Sequence, residues 1–158
     1  MSMRRTSDEL AALLRIGAQG DRPTEAAVEL LIGHGVWLRR SDFVDACATV
    51  ESGRAGSAAF VDWPAAVCAL DAGELPCSSS EASVLRIAAG LGGVPVDLRA
   101  RLCGLDASNI LLVADAVLHA NGTPGRALAR LLGAQSPRTT PRGPARPTTQ
   151  AEAHRDHG

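Results

Sequence analysis

The sequence contains no lysine and no tyrosine, and it is poor in aromatic residues of any kind. Of its 158 residues 3% are aromatic, whereas 46% are apolar. The core must therefore be built from Leu, Val and Ala, a composition that favours helices over strands. Every fixed cation is an arginine in a chain rich in Ala and Gly, which we attribute to the mutational bias of a GC-rich bacterial genome. Arginine content alone thus gives no sign of a selected anion site.

The chain also lacks long apolar runs and paired cysteines. No run approaches the roughly 18 residues of a membrane-spanning helix, and Asp8 and Glu9 interrupt the start before a secretory signal could form. The four cysteines have neither C-x-x-C nor zinc-site spacing. We therefore expect a cytoplasmic protein with reduced thiols, no membrane association, no metal and no other cofactor. These cysteines are Cys47, Cys68, Cys77 and Cys103.

The apolar pattern predicts a mainly α fold. A compact bundle of about seven or eight short helices is expected over residues 7–133, after a flexible N-terminus at residues 1–6. A domain of this size buries roughly two-thirds of its unfolded surface, enough for a core without disulfides. No P-loop, Rossmann, kinase or G-x-S-x-G signature appears in it.

Two segments within this domain resemble each other. Thr24–Val28 and Ser80–Val84 have similar sequences, and each opens a helix that is followed by a Gly-rich break and further helices. Residues 24–73 and 79–122 would then be two degenerate three-helix units. Coincidence in an Ala-rich chain explains the similarity equally well.

Capping residues locate the helix starts. Ser7 and Thr24 are expected to cap the first two helices, and Asp106 a later one. Ser78 and Glu81 have the spacing of a capping box, in which each side chain binds the other residue's backbone N–H.

The helix at residues 107–120 has the strongest apolar stripe, and we expect it to be central. Leu98 and Leu102 of a shorter helix are expected to point inward as well. A last helix begins at Thr123-Pro124 and ends at Gly133. The stripe consists of Ile110, Val113, Ala114 and Val117, and the last helix carries Leu128, Leu131 and Leu132.

One tiny two-stranded β-ribbon is expected, formed by Val36–Leu38 and Ala59–Val61 on either side of a helix at Ser41–Val50. This order suggests a winged helix-turn-helix over residues 24–63, with Ser41–Val50 as the recognition helix. That helix carries two aspartates and no arginine, so nucleic-acid phosphates would repel it, an effect that Arg39 and Arg40 at its start offset in part. Nucleic-acid binding through this unit is therefore an alternative interpretation.

The aromatic residues all fall in a short stretch of the chain. They could stack on nucleic-acid bases beside the two arginines, but we favour a single aromatic cluster in the core. These residues are Trp37, Phe43, Phe60 and Trp63.

Cys77 is the thiol with the most suggestive position, because it directly precedes Ser78 at a helix start. The helix dipole would lower its pKa there and make it a nucleophile or a redox sensor, with His34 or His119 as a candidate base. The alternative is a small apolar residue packed over its helix, which we favour.

The C-terminal segment differs from the rest in charge and composition. Residues 1–122 have a net charge of −5, whereas residues 123–158 have a net charge of +4. Residues 134–158 have no apolar periodicity and many prolines, so we expect a disordered tail. Arg138, Arg142 and Arg146 make it a candidate surface for an acidic protein face or, weakly and without sequence preference, for nucleic acid.

The leading functional hypothesis is a non-catalytic protein-interaction or regulatory module with an unidentified protein partner. It depends mainly on the absence of a catalytic constellation. The alternatives are a nucleic-acid-associated protein that uses the winged-helix-like unit or the tail, and a small cysteine-dependent enzyme or redox sensor that uses Cys77.

Overall fold

A computed structural model describes residues 5–54 and 56–123. This part of the chain is mainly helical, as predicted, with seven α-helices, one short 3-10 turn and one two-stranded sheet. The predicted last helix, the tail and residues 1–4 lie outside the described residues. The helices are α1 (Ser7–Ala18), α2 (Arg22–His34), α3 (Ser41–Cys47), α4 (Trp63–Asp71), α5 (Ser79–Leu91), α6 (Leu98–Leu102) and α7 (Ala107–Ala120), the 3-10 turn is Trp37–Arg39, and the strands are β1 (Ala48–Gly53) and β2 (Gly56–Val61).

The capping box before α5 is confirmed. The Ser78 hydroxyl accepts from the Glu81 backbone N–H at 3.2 Å, and the Glu81 carboxylate accepts from the Ser78 N–H at 2.7 Å. Asp106 likewise caps α7 by accepting from the backbone N–H of Asn109 at 2.8 Å.

The first two helices begin earlier than predicted. Thr6, not Ser7, caps α1, because Glu9 lies three residues beyond it and completes a second capping box. Asp21, not Thr24, is the N-cap residue of α2, and the Thr24 hydroxyl donates to its carboxylate inside the first turn.

The predicted strand pairing is wrong. β2 pairs antiparallel with β1, which follows α3 without a loop, and the register joins Ala48 to Val61 and Val50 to Ala59. Residues 48–50 thus leave the helix predicted for Ser41–Val50, because Thr49 and Val50 are β-branched and favour a strand. Residues 37–39, which were expected to be extended, form the 3-10 turn instead.

Helix α1 lies against the outer edge of β2 at Gly17. A methyl group at this position would come well under 3.0 Å from the carbonyl oxygen of Ala59. The carbonyls of non-hydrogen-bonded pairs such as Val50–Ala59 point away from the partner strand. The absence of a side chain at Gly17 is therefore what lets the helix cover this edge.

A single hydrophobic core unites the described elements, and α2 is at its centre. This helix packs against α1 on one side and against α5 and α7 on the others. Its buried residues are Ala26, Ala27, Val28, Leu30 and Leu31. Residues 24–73 and 79–122 thus contribute to one shared core, and their similarity stays an interpretation.

The predicted aromatic cluster forms only in part. The rings of Trp37 and Phe43 are both fully buried, with centroids 5.4 Å apart. Trp63 is buried as well. Phe60 is not part of the core: it is 40% exposed, because it lies on the outer face of β2, opposite Thr49.

Two helices turn predicted core residues outward. Helix α7 packs on α2 through the face that carries Val113 and Ala116, whereas Ile110 and Val117 are 41% and 53% exposed. Leu98 and Leu102 of α6 are also exposed. The sequence pattern was ambiguous because apolar residues cover most of the circumference of α7.

In the described part of the chain, no helix has the length and apolar character that crossing a membrane requires.

Candidate functional site

A groove of about 630 Å³ runs between the start of α1, the 3-10 turn, α3 and β1. These elements are brought together because Trp37 and Phe43 anchor the turn and α3 in the core, while α1 holds the hairpin. The groove is lined by Arg5, Ser7, Leu10, Leu38, Arg39, Arg40, Ser41, Val44, Asp45, Ala48 and Val50.

The lining combines an apolar floor with a cationic rim. Leu10 and Leu38 are buried, and Val44 and Val50 are half-buried. The charged lining residues are three arginines and one aspartate. A surface of this kind suits a partner segment that carries both apolar and acidic side chains.

The two sequence-predicted arginines of this region have different roles. The guanidinium of Arg40 lies 4.9 Å from the ring centroid of Trp37, forms an ion pair with Asp42 at 2.5 Å and donates to the carbonyl of Pro76 at 2.6 Å. The ion pair lowers the pKa of Asp42. Arg40 thus holds the turn, α3 and the segment before α5 together, whereas Arg39 is exposed and can meet a ligand.

The groove is bordered by an open strand edge. The backbone N–H of Asp62 donates to the carbonyl of Cys47 at 2.8 Å, which identifies the pairs at 49 and 51 as hydrogen-bonded to β2. By the alternation of an antiparallel ladder, the backbone groups of Val50 and Ser52 point away from β2. Among the described elements β1 packs mainly against β2 and α3, so this edge can pair with an added strand.

The charged residues of α3 argue against the winged-helix interpretation. Helix α3 and the hairpin do follow each other as that fold requires. However, α3 presents exposed Asp42 and Asp45 on its surface, and Arg40 is already paired. Helix α3 therefore offers phosphate groups no arginine of its own, since its charged residues are Asp42 and Asp45 and the arginine before it is paired with Asp42.

Cys77 is half-buried in the segment before α5. Burial raises its pKa, and the neighbouring Glu81 carboxylate raises it further, while Arg40 and Arg86 act in the opposite direction. The pKa shift of this thiol is therefore opposite to the one expected from the helix start, because of burial first and of the nearby Glu81 carboxylate second. A protonated thiol is a poor nucleophile.

The two candidate bases for Cys77, His34 and His119, lie in different parts of the structure. His119 lies 3.6 Å from Glu25 on the far side of α2. His34, at the end of α2, faces the starts of α5 and α7, where burial lowers its pKa and the carboxylates of Glu81 and Asp106 oppose the shift. Its buried Nδ1 has no hydrogen-bond partner in the part of the chain that the structure describes.

Ser80 joins the starts of α5 and α7. Its hydroxyl donates to the Asp106 carboxylate at 2.8 Å and accepts from the side-chain amide of Asn109 at 2.9 Å. These bonds use the Ser80 hydroxyl to pack the two helix starts against each other.

A second depression, of about 350 Å³, lies between α1, α2 and α7. Its charges are already paired with each other: Arg15 binds Glu29 at 2.5 Å, and His119 lies beside Glu25. It therefore offers little unmatched charge to a ligand, in contrast to the groove.

The remaining features considered from the sequence are the tail arginines and a metal site. Arg138, Arg142 and Arg146 lie outside the described residues. Within residues 5–54 and 56–123, no three His, Cys, Asp or Glu side chains converge in a way that could hold a metal ion.

The groove itself was missed by sequence reasoning, which found Arg39 and Arg40 but neither Arg5 nor the strand edge at Val50. The alternation of apolar and polar residues at 48–51 was the available signal. Comparison of the chain with protein-family models, with curated proteins and with solved structures finds no match.

Proposed function

We propose that the protein is a non-catalytic interaction module that binds an extended segment of a partner protein in the groove between α1, α3 and β1. The observation that carries this proposal is the combination of an apolar floor, an arginine rim and the open edge of β1. Strand addition supplies affinity through backbone hydrogen bonds, while alternate side chains enter the groove. The occupant is an acidic segment with apolar residues, because Arg5 and Arg39 add positive charge to the rim while Arg40 is paired with Asp42.

The strand edge allows a sharp test. Val50→Pro removes an outward-pointing N–H and leaves the hydrogen bonds between β1 and β2 in place, since proline is tolerated on the open side of an edge strand. Val50→Ala is the matched control, because it also shortens the side chain but keeps the N–H.

The experiment selects binders from a random-peptide display library on the full-length protein. We expect enrichment of extended peptides that alternate Val, Ile or Leu with Asp or Glu. Their affinity should fall about five- to tenfold more in Val50→Pro than in Val50→Ala, which is the effect of one lost hydrogen bond. Arg39→Glu should weaken binding more than the same change at Arg99, which is on α6. Peptides that bind all variants equally would contradict the proposal.

The tail arginines Arg138, Arg142 and Arg146 support a second candidate, a nucleic-acid role, because no acidic residue lies among them. Duplex DNA titrated against the full chain and a chain that ends at Gly133 tests it, and equal weak binding by both would exclude a contribution from the tail.

A further inference from the structure

Helix α7 carries a second apolar face, which points away from the core. We name this face the outer stripe, and its most exposed residues Ile110, Leu111 and Val117 are 41%, 50% and 53% exposed. At 100° per residue it occupies a continuous arc that is separate from the face packed on α2. The outer stripe consists of Ile110, Leu111, Ala114, Val117 and Leu118.

We propose that the outer stripe is the docking site of the chain's own residues 124–133, which fold back on it as an antiparallel helix. This segment begins directly after the last described residue, Thr123, which is three residues beyond the end of α7. Its sequence places apolar residues at spacings of one, three and one, a pattern that forms one face of a helix. These residues are Leu128, Leu131 and Leu132, preceded by Ala127.

The end of α7 reverses the chain in the way this requires. Gly122 has a φ of 81°, its N–H donates to the carbonyl of His119 at 2.8 Å, and the N–H of Thr123 donates to the carbonyl of Leu118 at 2.9 Å. These two bonds are a Schellman motif, which ends a helix and turns the chain. Thr123 and Pro124 follow this turn in the sequence, and they are residue types favoured at the N-cap and first positions of a helix.

Length and charge fit the same arrangement. A ten-residue helix is about 15 Å long, and the outer stripe extends over about 12 Å from Ile110 to Leu118. A loop of two to five residues is usual between two antiparallel helices. The described residues carry nine arginines and fifteen acidic residues, whereas residues 124–133 carry Arg126, Arg130 and no acid. The tether gives the segment an effective concentration in the millimolar range, which favours it over a second molecule.

The test is amide hydrogen exchange of the full-length protein, resolved by residue. In the unaltered chain we expect residues 126–132 to exchange at least about tenfold more slowly than in an unstructured peptide. The double change Leu128→Glu with Leu131→Glu should abolish this protection. Ala129→Glu, which adds one such charge about 100° from Leu128 and outside the leucine face, should keep it within about twofold.

A reciprocal change on α7 separates docking from a helix that forms on its own. Val117→Glu alters a residue that is half exposed and should leave the fold intact, but it should remove the protection of residues 126–132. Absence of protection in the unaltered chain would overturn the proposal, as would protection that survives both Val117→Glu and the double change. Protection that falls on dilution would also overturn it, because the occupant would then be a second copy of the chain.

Discussion

The contact between α1 and β2 gives the most direct test of the groove, because it holds the hairpin that forms the groove wall. In Gly17→Ala the new methyl group meets a backbone carbonyl, that of Ala59, and no rotation of a side chain can relieve the overlap. Overpacking of this kind destabilises by about 1–3 kcal/mol or more. The higher helix propensity of alanine offsets about 1 kcal/mol of this loss of stability at most.

Gly33→Ala is a matched control, because Gly33 occupies the corresponding place near the end of α2. Its methyl group would meet only the Cδ2 atom of Leu112, at 3.2 Å, and this end of a side chain can move. We therefore expect Gly33→Ala to be neutral or to stabilise by up to about 1 kcal/mol. The two variants should differ by about 1–3 kcal/mol, which corresponds to a difference in Tm of roughly 3–12 °C.

Urea unfolding followed by tryptophan fluorescence measures this difference, since Trp37 and Trp63 are both buried in the folded state. Equal midpoints for the two variants would refute the packing of α1 on the edge of β2. A loss in Gly17→Ala should be accompanied by weaker peptide binding in the groove, because β1 is positioned through β2.

Three further results are expected. Burial lowers the pKa of His34 in the folded state, so the unfolded state takes up the proton first as the pH falls. The free energy of unfolding should therefore decrease below about pH 6.5. The variant His34→Gln should lessen this decrease between about pH 7 and 5. Iodoacetamide at pH 7 should label Cys77 more slowly than the exposed Cys103, since burial and Glu81 raise the pKa of Cys77; faster labelling would restore the nucleophile hypothesis. Trp63→Ala should lower the free energy of unfolding by about 3–5 kcal/mol, measured by calorimetry, and a loss below about 1 kcal/mol would contradict its burial.

The features that the sequence predicted correctly are local ones. The capping box of Ser78 and Glu81 and the cap at Asp106 depend on residues three positions apart, so their physics is complete within one helical turn. The helices themselves follow from apolar periodicity and from the breaks at Gly and Pro.

The incorrect predictions concern segments that could adopt either of two similar arrangements, such as two strand pairings or two buried helix faces. Ala59–Val61 could pair with either flanking segment, and the tight turn between Gly53 and Gly56 decides for β1, because closing a short loop is entropically cheaper. For α7 the outward position of Ile110 and Val117 could not be read, since both of its faces are apolar.

The candidate site could not be predicted as a whole, because its lining comes from four elements. Arg5 and Val50 are far apart in sequence and line the same groove only because α1 packs against β2, which pairs with β1. The engagement of Arg40 with Trp37 and Asp42 was equally hidden, so charge counting treated Arg39 and Arg40 as equivalent.

The central position of α2 has a consequence for synthesis on the ribosome. This helix is made early, but α5 and α7, which cover two of its sides, come from the later part of the chain. At about 5–20 residues per second, the roughly 85 residues between the end of α2 and the end of α7 take about 4 to 17 seconds to translate. During that time the nascent chain exposes apolar surface of α2, so the order of its elements makes this small protein a candidate client of ribosome-associated chaperones.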